Sequence, residues 1–173
     1  MIVNNLKYPF IFTLLIAIQV LVLNNINLGG YVNPYIYLLF ILWLPVEMKD
    51  WVVMFLALIT GLVMDTFMST PGIHASACVF LAFARKYVLY YMKPRDGYET
   101  NIIPDLKNMG ASWFLTYSII LISLHHIFYF FVEIFRFSDL LYVFWRAIAS
   151  IFMSTLIIIV IELLFSGNNE TRR

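Results

Sequence analysis

Charge and cysteine are both scarce in this chain. Asp, Glu, Lys and Arg supply 12% of its 173 residues, against about 25% in an average soluble domain, too few to cover a surface that faces water on every side. Eleven cations nearly balance ten anions, for a formal net charge of +1, so no global field draws a polyanion and nucleic-acid binding is disfavoured. The single cysteine, Cys78, has no intrachain partner and reads as packing. Also missing are a G-x-S-x-G elbow, a phosphate-binding glycine loop, a C-x-x-C pair, the i, i+4 histidine pair of a zinc helix and carboxylates at catalytic spacing. The reading is therefore no enzyme, no cofactor and no metal. Neither a 20–50-residue repeat nor a low-complexity run divides residues 1–173, so one domain is expected.

What is present is apolar. Hydrophobic residues make up 62% of the chain, mean hydropathy is +0.87, and 16 Phe, 11 Tyr and 4 Trp suit lipid contact and interfacial belts better than a ligand box. This composition predicts an all-α integral membrane protein with about six transmembrane helices, near 8–23, 31–46, 51–68, 72–92, 111–135 and 138–165. Pro9 falls in the first turn of the first helix, where its missing N–H costs little. Asn24, Asn25, Ile26 and Asn27 follow instead of a small-x-small cleavage site, so that span is read as retained. The second predicted helix is short of the roughly 20 residues that cross a bilayer and has Pro34 and Pro45 near its ends; it is tilted little or partly re-entrant. Lys93 to Gly110, broken by Pro94, Gly97 and Pro104, reads as a soluble loop.

Positional charge orients the chain. Lys7, Lys49, Arg85, Lys86, Lys93, Arg95, Lys107, Arg172 and Arg173 fall on one side of a six-span layout, and Arg136 and Arg146 toward the other. The positive-inside rule then puts both termini in the cytoplasm.

The least expected residues lie between Leu58 and Arg85, the end of one apolar helix, a Ser69-Thr70-Pro71-Gly72 turn and a second helix. Ionisable groups there carry a desolvation cost of several kcal/mol unless protein or water compensates them. Ala57, Gly61 and Asp65 form a stripe of four-residue spacing, so Asp65 faces a close neighbour, as a structural carboxylate bonded to the turn or to His74. His74, Cys78, Ala82 and Arg85 share a face of the next helix. Arg85 lies about 16 Å deeper than His74 at 1.5 Å per residue, which argues against an Asp65–Arg85 salt bridge; Arg85 and Lys86 are open to snorkelling toward headgroups. On the fifth helix His126 and Glu133, with Arg136 beyond them, read as an outer polar cluster or partner contact. Arg146, Ser150 and Ser154 form a small-residue contact stripe, and Glu162 is expected to be solvated.

Gly61-Leu62, Asp65, Pro71-Gly72, His74-Ala75 and the basic Arg85 at the end of a small-residue helix resemble the pattern of the rod shape-determining protein MreD family of bacteria. The pattern covers about 28 residues; chain length, span number and a cationic side are similar throughout, whereas the Lys93–Gly110 loop has no counterpart. The resemblance implies six helices like the substrate-binding S-components of energy-coupling factor transporters. It also implies a non-catalytic place in the bacterial cytoplasmic membrane, beside the bitopic protein MreC and through it MreB, RodA and a class B penicillin-binding protein. It carries over no catalytic residue, so Gly61, Asp65, Pro71, Gly72, His74 and Arg85 transfer as motif positions. A scaffold of the cell-wall elongation machinery is the leading expectation. A small-molecule-binding subunit of an energy-coupling factor type transporter, with Asp65, His74 and Arg85 lining a solute cavity, is its rival.

Overall fold

A computed structural model describes residues 2–26, 32–134 and 140–167. Among them lie seven α-helices: α1 (Ile2–Leu21), α2 (Leu38–Leu42), α3 (Asp50–Met68), α4 (Ile73–Tyr91), α5 (Leu106–Met109), α6 (Ala111–Ile134) and α7 (Leu140–Gly167). The third to sixth predicted helices fall within two residues of α3, α4, α6 and α7 at every end. The first was placed too late, since α1 begins at Ile2 with Pro9 inside it. The bond that Pro9 cannot make is to the carbonyl of Asn5, in the polar first turns, where losing it costs least.

The second predicted helix is the main correction. Only Leu38–Leu42 are helical, and residues 32–36 run without regular structure. This segment is nevertheless the most buried part of the protein, with Ile36 to Leu39, Ile41, Leu42 and Leu44 wholly enclosed. It threads between the long helices, antiparallel to α1 and parallel to α7. Gln19 of α1 bonds the backbone at Pro34 and Ile36, and Phe12 packs edge-on to Phe40 at 5.1 Å. Along α7, Ser150 meets Asn33 and Glu162 meets Trp43. Those twelve residues of α7 advance about 18 Å, while ten helical residues of the threading segment would advance only about 15 Å. Partial unwinding lets a stretch too short for a spanning helix keep pace with its neighbour.

Among the described residues, four helical stretches are long and apolar enough to cross a membrane: Tyr8–Asn25, Asp50–Met68, Ala111–Glu133 and Leu141–Phe165. They correspond to the first, third, fifth and sixth of the six expected spans. Helix α4 is as long as α3 and packs against it along its length, but His74, Ser76, Arg85 and Lys86 lower its hydropathy. Exposed Phe, Leu, Ile and Trp side chains on α3, α6 and α7 give the bundle the apolar exterior of a membrane protein.

The Lys93–Gly110 loop is not simply solvated. Val46 N–H donates to the Ile102 carbonyl (3.0 Å), Tyr98 donates its hydroxyl to the Leu89 carbonyl (2.7 Å), and Trp113 Nε1 donates to the Met92 carbonyl (2.9 Å). Burial pushes the Tyr98 phenol up to about 12, so it remains a neutral donor. The loop thus closes one end of the bundle, with α5 tucked beneath α7.

Candidate functional site

The α3–α4 hairpin is locked by one carboxylate. Ser69 ends α3 in the left-handed conformation (φ 55°) and Gly72 opens α4 with φ 83°, a backbone state that favours glycine. The turn brings the first N–H groups of α4, which have no partner in their own helix, onto Asp65. Its Oδ1 accepts from His74 N–H (2.9 Å) and the Thr70 hydroxyl (2.9 Å), and Oδ2 accepts from Ala75 N–H (3.0 Å). The expected structural carboxylate is present; it bonds the backbone of His74, not its imidazole. One turn earlier, Gly61 faces the same point: a Cβ there would stand 2.3 Å from the Ala75 Cα. The glycine permits the approach and the carboxylate bonds across it.

That geometry makes Asp65→Asn informative. The amide keeps one acceptor oxygen and turns an NH2 donor toward N–H donors, so a loss of about 2 kcal/mol is expected, consistent with charge-assisted bonds of about 1.5–3 kcal/mol. Thermal unfolding in mild detergent should fall by roughly 6 °C; an unchanged midpoint would remove the lock from the account.

Arg85 neither snorkels nor pairs with Asp65. It is 3% exposed, donating from Nε to the Tyr117 hydroxyl at 2.9 Å and from Nη2 to the Leu44 carbonyl. Tyr117 in turn donates to the Leu42 carbonyl (3.2 Å). Lys86, in contrast, is exposed and pairs with Asp50 at 2.7 Å.

Arg85 belongs to a wider pattern. Irregular backbone is tolerated at membrane depth only where protein or a water-lined cavity satisfies it, and the threading segment is satisfied by side chains from four helices. Asn33 N–H donates to Ser150 Oγ (3.0 Å), Tyr35 N–H to Ser154 Oγ (2.9 Å) and Ile36 N–H to Gln19 Oε1 (2.8 Å). Gln19 Nε2 donates to the Pro34 carbonyl (3.0 Å). The Arg146–Ser150–Ser154 stripe is therefore more than a small-residue contact, because its hydroxyls receive backbone donors. Glu162 is buried, not solvated, and accepts from Trp43 Nε1 and from Leu106 N–H (3.4 Å).

The expected outer cluster divides. His126 is wholly buried, with Nδ1 2.9 Å from the Ile122 carbonyl and Nε2 3.0 Å from Ser154 Oγ. Glu133 instead takes Arg146 in a two-point pair at 2.9 and 3.4 Å, with the guanidinium 4.8 Å from the Phe130 ring centre. Arg136 lies outside the described residues. The pairing escaped the sequence reading because Glu133 and Arg146 stand on different helices, and no spacing rule links them.

At the centre stands a cluster that sequence reasoning missed. The Tyr37 hydroxyl lies 2.8 Å from His74 Nδ1 and 3.3 Å from His125 Nε2. Cys78 Sγ is 3.9 Å from the same His125 nitrogen, and the Tyr129 ring stacks 6.2 Å from His125. His125 was not singled out, although its adjacency to His126 was the available signal. His74 Nε2 and His125 Nδ1 are buried without a hydrogen-bond partner. Among the described residues, no group of three or more His, Cys, Asp or Glu side chains is arranged to hold a metal ion.

Fold and site together define an all-helical membrane-type protein whose buried polar side chains hold a partly unwound segment at its core. Comparisons with protein-family models, curated proteins and solved structures find no significant match.

Proposed function

We propose that this chain is a non-catalytic scaffold in the bacterial cytoplasmic membrane. It docks an MreC-type bitopic partner and, through it, helps organise MreB, RodA and a class B penicillin-binding protein during peptidoglycan synthesis and rod-shape maintenance. The reading rests on the resemblance carried by Gly61, Asp65, Pro71-Gly72, His74-Ala75 and Arg85. One observation supports a scaffold over a solute-binding subunit: Gln19, Asp65, Arg85, Ser150 and Ser154 spend their hydrogen bonds on the chain's own backbone. Polar groups that build a rigid interior leave the apolar exterior to meet partners. In this reading both termini are cytoplasmic, on the side of Lys49, Lys86, Lys93, Arg95 and Lys107.

The rival, a small-molecule-binding subunit of an energy-coupling factor type transporter, draws support from the unpartnered His74 Nε2 and His125 Nδ1. Purification in mild detergent from cells carrying the tagged chain should recover an MreC-like protein, and depletion should round the cells. Failure of both results rejects the scaffold. A solute that raises the unfolding temperature by mass action, with the shift lost in His125→Phe, would favour the rival instead.

A further inference from the structure

The end of the hairpin opposite the Asp65 lock carries a pocket that neither the scaffold reading nor the buried cluster uses. Its volume is about 490 Å³, and its lining includes Arg85, Lys86 and Lys93 with a single carboxylate, Asp50. The last turn of α4 adds Tyr90 and Tyr91, 72% and 82% exposed, and Trp51 stands exposed in the first turn of α3. Exposed Tyr and Trp at the ends of apolar helices belong at headgroup depth.

A second feature lies further along the same hairpin. Met54, Leu58, Ser76, Val79, Phe80 and Phe83 line a shallow, almost wholly apolar groove between α3 and α4. Phe83 and Val79 lie three and seven residues before Lys86, on the same face of α4, and Met54 lies one turn beyond Asp50 on α3. The Asp50–Lys86 pair, part of the pocket lining, therefore stands about one turn from the near end of the groove. On α4 the groove is lined from Ala75 to Phe83, eight residues that advance about 12 Å; with Lys86 three residues further, the distance from that cation to the far end of the groove is about 16 Å, close to half of the roughly 30 Å hydrocarbon core.

We propose that this face binds one anionic phospholipid, its phosphate beside Lys86 and Lys93 and an acyl chain along the α3–α4 groove. The lining calls for an anion, with three cations against one carboxylate, and the apolar groove that begins about one turn away along α3 and α4 selects a lipid over a free anion. Arg85 forms the pocket's inner wall but is held by Tyr117 and Leu44, so the exposed lysines carry the contact. Basic pockets at helix ends recognise anionic headgroups in this way.

Native mass spectrometry of the full chain, released from bilayers of equal phosphatidylglycerol and phosphatidylcholine, tests the assignment. Retained phosphatidylglycerol should exceed phosphatidylcholine about tenfold. The double variant K86Q/K93Q should abolish that preference, and V79W, which fills the groove, should reduce retention while leaving the lysines in place. Unfolding temperatures in phosphatidylcholine alone check that both variants fold; if V79W does not, V79F replaces it. Inorganic phosphate, used separately, should not raise the unfolding temperature. Equal retention of the two lipids, a preference that survives K86Q/K93Q, or retention unaffected by the folded groove variant would overturn the proposal. Stabilisation by inorganic phosphate equal to that by phosphatidylglycerol would overturn the lipid in favour of a free anion. None of these outcomes depends on recovering an MreC-like partner.

Discussion

Gly61→Ala is expected to lower the unfolding temperature in mild detergent by roughly 10 °C, corresponding to about 3 kcal/mol for a chain of this size. Alanine is ordinarily the better helix former by about 1 kcal/mol, so propensity alone predicts the opposite sign. Packing decides the outcome. The added methyl would stand 2.3 Å from the Ala75 Cα and 2.6 Å from the His74 carbonyl oxygen, atoms of backbone that no rotamer change can move. Helices α3 and α4 would have to separate, and the Asp65 bonds to His74 and Ala75 N–H, one turn away, would lengthen with them. Overpacking typically costs about 1–3 kcal/mol, and the coupling to the lock places this change at the upper end. Gly72→Ala supplies the contrast: nothing lies within 4 Å of its added Cβ, so only the left-handed backbone is penalised, by about 1 kcal/mol. Equal midpoints for Gly61→Ala and the unaltered protein would show that α3 and α4 pack more loosely at Gly61 than a 2.3 Å Cβ approach implies.

Arg85→Met should be more damaging still, at about 4 kcal/mol, read as loss of a monodisperse folded species or a midpoint lowered by more than 10 °C. Replacing a buried charge with an apolar side chain is often harmless when its partners are replaced as well. Here one partner is the backbone carbonyl of Leu44, which no substitution removes, and another is the buried Tyr117 hydroxyl. Each buried group left without its partner costs about 1–3 kcal/mol, and the aliphatic stem of Met recovers only part of the lost packing. Arg85→Lys should fall between the two, because an ammonium reaches one of the two acceptors but lacks the planar fork that spans both. Unaltered stability of Arg85→Met would mean that the threading segment does not need this anchor.

Local reading worked where a structural property is repeated along the chain. Apolar runs located α3, α4, α6 and α7, and four-residue spacing put Gly61 and Asp65 on one face. The turn residues Pro71 and Gly72 placed the hairpin, and depth arithmetic separated Asp65 from Arg85. The same approach failed for residues 32–46. An unbroken apolar stretch looks the same whether it lies against lipid as a helix or is enclosed by protein as a half-unwound segment, because hydropathy measures transfer from water and not backbone shape. Pro34 and the shortness of the run were the local signs.

By itself, then, the sequence determined that this is an apolar, helical, membrane-type chain with a tight α3–α4 hairpin, since composition, periodicity and turn chemistry are local quantities. Only the tertiary structure decided what the buried polar residues are for. Gln19, Arg85, Tyr117, Ser150 and Ser154 are scattered across four helices, and apart from the one-turn step between Ser150 and Ser154 nothing in their spacing relates them. They become one system because each bonds the same buried, partly unwound segment, whose unpaired N–H and C=O groups must find partners within the protein.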